Sequence, residues 1–115
     1  MNKMLLKFKI AVLILLVGFC ICLINTKAFA IDTDQIYADK CEMCHGADGK
    51  GTSQGIDFGV QDFTNKEWQA SRTDEDFVNS ITNGKEENPN YIPFGDMLSE
   101  EEIKAMASHV RKFVQ

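Results

Sequence analysis

Cys41-Glu42-Met43-Cys44-His45 is the stretch that decides how this chain folds. Its Cys-x-x-Cys-His spacing is that of covalent haem attachment. Two thiols three residues apart lie on adjacent helical turns, so each can add to one vinyl group of a single porphyrin. The imidazole that follows then sits under the iron as proximal ligand. Cys41, Cys44 and His45 are therefore the expected cofactor-binding residues, with His45 on the metal and one covalent haem c as the cofactor. Cys-x-x-Cys also occurs in redox dithiols and zinc half-sites. A zinc site needs about four ligands, and beyond the pentapeptide the chain after residue 30 offers only His109 and carboxylates. A dithiol leaves His45 without a role.

The N-terminus bears on the compartment. Lys3, Lys7 and Lys9 precede an apolar run from Ile10 to Ile24, and Ala28-Phe29-Ala30 puts small residues where a signal peptidase reads them. This pattern predicts a signal peptide over residues 1–30, cleaved after Ala30. An uncleaved anchor is the alternative, although the run falls short of the ~20 residues a spanning helix needs. Cys20 and Cys22 lie inside the run and would leave with it. Neither follows a small residue, as a lipoprotein site requires. Haem attachment takes place outside the cytoplasmic membrane, so both signals point to export, to the periplasm or an equivalent compartment.

The expected mature domain, residues 31–115, keeps eight of the 12 Lys and Arg and all 17 Asp and Glu, a formal charge of −9. That excess disfavours nucleic acid and anionic membrane surfaces as partners. A basic partner, or one approached away from the acids, fits better. A protein core of this size is marginal by itself, and a buried porphyrin would add the missing apolar volume.

Helix signals follow in order. Asp32-Thr33-Asp34 caps a helix expected to run to about Cys44. Gly46, Gly49, Gly51 and Gly55 then read as a loop. Gly46 to Gly51 is not a phosphate loop, since Lys50 is followed by Gly51 rather than Ser or Thr. Phe58, Phe63 and Trp68 are apolar anchors in a mixed stretch. Trp68 is read as core packing, with contact to a porphyrin edge as a second role. Thr73 caps a second helix that Gly84 closes. Asn88-Pro89-Asn90 and Pro93 mark a loop. Ser99 and Glu102 form a capping box for the last helix. Its buried stripe is Ile103, Met106, Ala107, Val110 and Val114, with Arg111 and Lys112 placed to suit the helix dipole.

These motifs together resemble a small bacterial class I c-type cytochrome. The resemblance rests on Cys41 to Gly51, Asp62-Phe63-Thr64, Glu67-Trp68, Ile81 to Lys85, and Pro93-Phe94-Gly95-Asp96 leading into Leu98 to Ile103. It covers nearly all of Gln35 to Phe113. It implies an all-α fold, a small helical bundle around one haem with the N- and C-terminal helices crossing. Periodicity by itself gives three helices and loops.

One departure matters. The family usually places a methionine before a loop proline as sixth iron ligand. This chain reads Tyr91-Ile92-Pro93-Phe94 there. Alignment on Pro93 puts Ile92 in that place, and alignment on Phe94 with Met-Pro-x-Phe spacing puts Tyr91. The candidates for the sixth position are Met97, the nearest sulfur; Tyr91 as a phenolate, as in catalase; His109; or no protein ligand. Met43 belongs to the proximal side.

Two functions are expected from this. One is an exported monohaem electron carrier meeting redox proteins through a small, transient interface. The other is a haem protein with an open distal site that binds nitric oxide or carbon monoxide. No acid pair or nucleophile–base pair is visible in the sequence, so the chain is not read as an enzyme. After signal cleavage no membrane association is expected.

Overall fold

The computed structural model describes residues 2–22 and 29–114. Its contacts divide the chain into two units, Met1–Ala30 and Ile31–Gln115. The first holds helix α1, Lys3–Cys22. Among the described residues, no helix is long and apolar enough to cross a membrane. The end of the apolar run at 23–24 and Ala28 of the expected cleavage motif lie outside the described residues.

The second unit is all-helical among the described residues, apart from an isolated Lys85–Asn88 bridge. Helix α2 spans Thr33–Lys40, and its Asp32 cap accepts from the Gln35 N–H at 3.0 Å. The helix expected to reach Cys44 is broken at Cys41. The Cys41 N–H closes α2 on the Tyr37 carbonyl at 2.9 Å, while its carbonyl accepts from Cys44 and His45 and starts helix α3, Glu42–His45. Side-chain bonds from Thr52 and from Tyr37 of α2 anchor α3. Thr52 Oγ1 donates to the Met43 carbonyl, and the Tyr37 hydroxyl to the Gly46 carbonyl, both at 2.8 Å.

The glycine-rich stretch is not all loop. Thr52 caps a short helix α4, Ser53–Asp57, by accepting from the Gly55 N–H at 3.1 Å. Gly55 is required there, because a methyl group would overlap the Cys44 carbonyl. Helix α4 thus packs backbone against backbone on the thiol-bearing turn. Asn65 caps a second short helix, α5, Lys66–Ala70.

Helix α6, Asp74–Asn83, and helix α7, Glu100–Arg111, each open on a complete capping box, Thr73 with Asp76 and Ser99 with Glu102. Such caps contribute about 1 kcal/mol each. Ile103, Met106, Ala107 and Val110 are buried as the α7 stripe predicts, while Val114 ends a 3₁₀ turn, Lys112–Val114. Helices α2 and α6 pack on α7. Tyr37, Phe63 and Phe77 complete the core.

A polar clamp ties α5 to α7. Gln69, 2% exposed, donates to the Phe63 and Val110 carbonyls at 3.0 and 2.9 Å. Arg111 does more than face the helix dipole. Its guanidinium donates to the Gln69 and Arg72 carbonyls, each at 2.6 Å, to the Gln69 side-chain oxygen at 3.0 Å and to Asp74 at 2.9 Å. It also lies 4.5 Å over the Phe77 ring.

Candidate cofactor site

The second unit surrounds an apolar cavity of about 1100 Å³, counting its open mouth. Residues 58–61 after α4 form part of its wall, and three further groups of residues complete it. The α2–α3 segment brings Cys41, Cys44 and His45 together, as the pentapeptide predicts. The core brings Phe63, Trp68, Phe77 and Met106. A strap between α6 and α7 brings Lys85, Tyr91, Ile92, Phe94 and Leu98.

His45 is fixed by stacking. Its ring lies 4.3 Å from the Phe63 ring, centroid to centroid, with the planes 14° apart. Phe63 stacks in turn on Trp68 at 5.9 Å, and Trp68 meets Phe77 edge-on at 5.6 Å. The Tyr37 bond to Gly46 holds the residue after His45. Burial pushes the His45 pKa down to about 4, so the imidazole is neutral near pH 7 and keeps a free lone pair. Its Nδ1 is buried with no hydrogen-bond partner. A buried nitrogen left so costs about 1–3 kcal/mol, and His45 lines the cavity with the rest of its ring. Cys41 and Cys44 are free thiols on the same cavity. Burial pushes the Cys41 pKa up to about 11, opposed by Lys40, which leaves a neutral thiol. Two thiols and an unpartnered neutral imidazole beside an apolar space fit a covalently held porphyrin.

The strap is stitched to residues 58–59. The Asn88 amide donates to the Phe58 carbonyl at 2.9 Å, and the Tyr91 hydroxyl to the Gly59 carbonyl at 3.1 Å. Lys85 Nζ sits 4.4 Å over the Tyr91 ring. Gly84 closes α6 at φ +67°, where a side chain would be strained and would overlap the Tyr91 carbonyl. Burial raises the Tyr91 pKa, opposed by Arg72.

The candidates for the sixth position part company here. Tyr91 lines the cavity. So does Ile92, although it is 58% exposed. Met97 is 52% exposed and is not part of the lining. His109 is 7% exposed at the α2–α7 crossing, where its Nδ1 lies 3.1 Å from Thr33 Oγ1 and its ring stacks on Tyr37 at 5.0 Å. It faces a separate pocket shared with Asp34, Glu42 and Lys112. Sequence reasoning misses the Phe63 support of His45, the Gln69 clamp and the pairing of Lys85 with Tyr91. Phe63 is visible as an apolar anchor, but nothing in its spacing points to His45.

Residues 30–110 match the family described as cytochrome c oxidase, cbb3-type, subunit III. The chain belongs to this family of c-type cytochromes. It is also similar to a solved structure, KustC0563 c-type cytochrome, at 38% identity and a TM-score of 0.69, over 74% of this chain and 100% of that one. A tyrosine-to-phenylalanine mutant of Kustc0563 gives 37% identity and a TM-score of 0.67, over 72% and 99%. No curated protein matches the chain. The fold is therefore that of an all-α c-type cytochrome, and membership of the family implies a covalently bound haem c.

Proposed function

We propose that the protein is an exported one-electron carrier holding a single haem c through Cys41 and Cys44, with His45 as proximal ligand. The observation that carries this reading is the meeting of both thiols and an unpartnered, neutral imidazole on one apolar cavity, in a chain of a c-type cytochrome family. Bound haem supplies a ferrous–ferric couple. The protein's own part is to hold and screen it. Phe63 orients the His45 ring, Gly55 lets α4 support Cys44, and Met106, Phe77 and Trp68 keep water from the inner end of the cavity. Cleavage after Ala30 is supported by the apolar run before it and by the division of contacts at that residue. The partners proposed are redox proteins whose contact surface tolerates or complements a charge of −9.

The test is mass and stain together. Protein made in a host competent for haem attachment should keep its haem stain after denaturation, and its mass should equal residues 31–115 plus one haem. A mature chain without that added mass sinks the reading.

A second reading is favoured by Met97, which is half exposed and away from the cavity. In it the reduced iron has no protein sixth ligand and binds carbon monoxide or nitric oxide. A shift of the reduced spectrum on adding carbon monoxide supports it, and an unchanged spectrum opposes it.

A further inference from the structure

We propose that the phenolate oxygen of Tyr91 is the sixth ligand of the ferric iron. The inference rests on the haem reading above and adds to it the identity of the distal donor.

Elimination carries the first half of the argument. The strap faces the cavity with Lys85, Asn90, Tyr91, Ile92, Phe94 and Leu98. Ile92, Phe94 and Leu98 have no lone pair to give. The sulfur of Met97 lies outside the lining, and His109 is turned to Thr33 at the helix crossing. Met106 does line the cavity, but it is 2% exposed and locked in the core between α2, α6 and α7. Moving it to the iron would open a void and cost core packing. Asn90 offers a neutral amide, a weak donor to iron. Lys85 is an ammonium and has no lone pair while protonated. Elsewhere in the lining, Tyr37 spends its hydroxyl on the Gly46 carbonyl, Lys40 is an ammonium like Lys85, and Gln61 and Ser80 offer neutral oxygens, weak donors to iron. Tyr91 is the strongest donor left, and tyrosinate is an attested ligand of haem iron.

The second half is the setting of the ring. Its hydroxyl is held by one neutral bond to the Gly59 carbonyl at 3.1 Å. A single neutral bond of this kind contributes little net stability, so the oxygen is readily released. Lys85 Nζ lies 4.4 Å over the ring, and Arg72 opposes the rise that burial imposes on the Tyr91 pKa. Gly84 leaves room for the Tyr91 backbone carbonyl to lie close against the end of α6.

Ligation forms one iron–oxygen bond and breaks the phenol O–H bond and its hydrogen bond to Gly59. The proton leaves to water at the open mouth of the cavity. When one electron from a redox partner reduces the iron, the hard phenolate is the poorer ligand. It dissociates, regains a proton from water and returns to Gly59.

The experiment uses the haem-loaded protein grown with ring-deuterated tyrosine. Resonance Raman spectra of the ferric form, excited in a phenolate-to-iron charge-transfer band, should show bands that shift with the label. Tyr91→Phe should lose both the band and the label-sensitive lines, whereas Met97→Ala should leave the ferric spectrum unchanged. Absence of any label-sensitive line in the wild type overturns the proposal, even if Tyr91→Phe fails to fold. So does a Tyr91→Phe ferric spectrum identical to the wild type, or a ferric spectrum altered by Met97→Ala. Retained haem stain in every sample separates failure of this proposal from failure of the haem reading.

Discussion

The two sides of the cavity are built by different means. On the side of His45, contacts hold each of four consecutive positions: Met43 by Thr52, Cys44 by a backbone packed on Gly55, the imidazole by Phe63, and Gly46 by the Tyr37 hydroxyl. On the strap side, Tyr91 and Asn88 each rely on a single bond to residues 58–59, and Ile92 and Met97 stand more than half exposed. The first side fixes a geometry. The second leaves the identity of a side chain free to change without loss of the fold. Within this chain, then, attachment is tied to stability and the sixth position is largely separate from it.

The severest test of that contrast is Gly55→Ala. The added methyl has no room against the Cys44 carbonyl, and a rigid backbone neighbour cannot rotate away. Destabilisation of about 3 kcal/mol or more is expected, read as a lower urea midpoint and a poor yield of haem-stained protein. A normal midpoint would mean that α4 does not support the thiol-bearing turn. Next comes Gln69→Ala. It strips partners from the Phe63 and Val110 carbonyls and from Arg111, with an expected loss of about 2 kcal/mol in chemical denaturation.

A pH effect of smaller size should come from His109. Burial holds its pKa below the usual value, with Lys112 acting in the same direction and Asp34 against it. Below its unfolded value of about 6.5, the unfolded chain therefore binds more protons than the folded one. Stability contributed by the neutral ring is present above that pH and is lost as the pH falls. Comparing unfolding free energies of wild type and His109→Gln between neutral and mildly acid pH should show the steeper fall in the wild type. Equal slopes would show that the ring is not held neutral.

The smallest effect on stability is expected from Ile92→Met on the strap. Unfolding should move by less than about 1.5 kcal/mol, as for other apolar swaps of similar volume. The ferric spectrum should change, by gain of a sulfur-to-iron band, and the potential should rise, since thioether ligation favours ferrous iron. A large stability loss with no spectral change would invert the contrast between the two sides.

What the sequence discloses follows the same division. Caps at Thr73 and Ser99, and the α7 stripe, depend on local spacing, so they are readable and stand where expected. The all-α fold follows from the resemblance. The break at Cys41 is not readable, because no local spacing marks it and the Thr52 bond that holds α3 comes from beyond the glycine-rich loop. Helix α4 is hidden by Gly55, whose helix-weakening identity is imposed by the close approach to Cys44. On the strap, Tyr91 and Ile92 can be lined up with the usual ligand position in two ways, and spacing has no means of choosing. Gln69 looks like an ordinary surface residue, since its two carbonyl partners come from separate segments.

The placement of the sealing residues has a kinetic side. Met106, Val110 and Phe113 close the core over the segment that bears Cys41 and Cys44. An unfolded chain presents those thiols before the last helix docks. Chemistry on the two sulfurs is therefore least hindered while α7 is undocked. Docking of α7 leaves only the open mouth of the cavity as a way in, so the final helix narrows the time for the reaction as well as walling in its product.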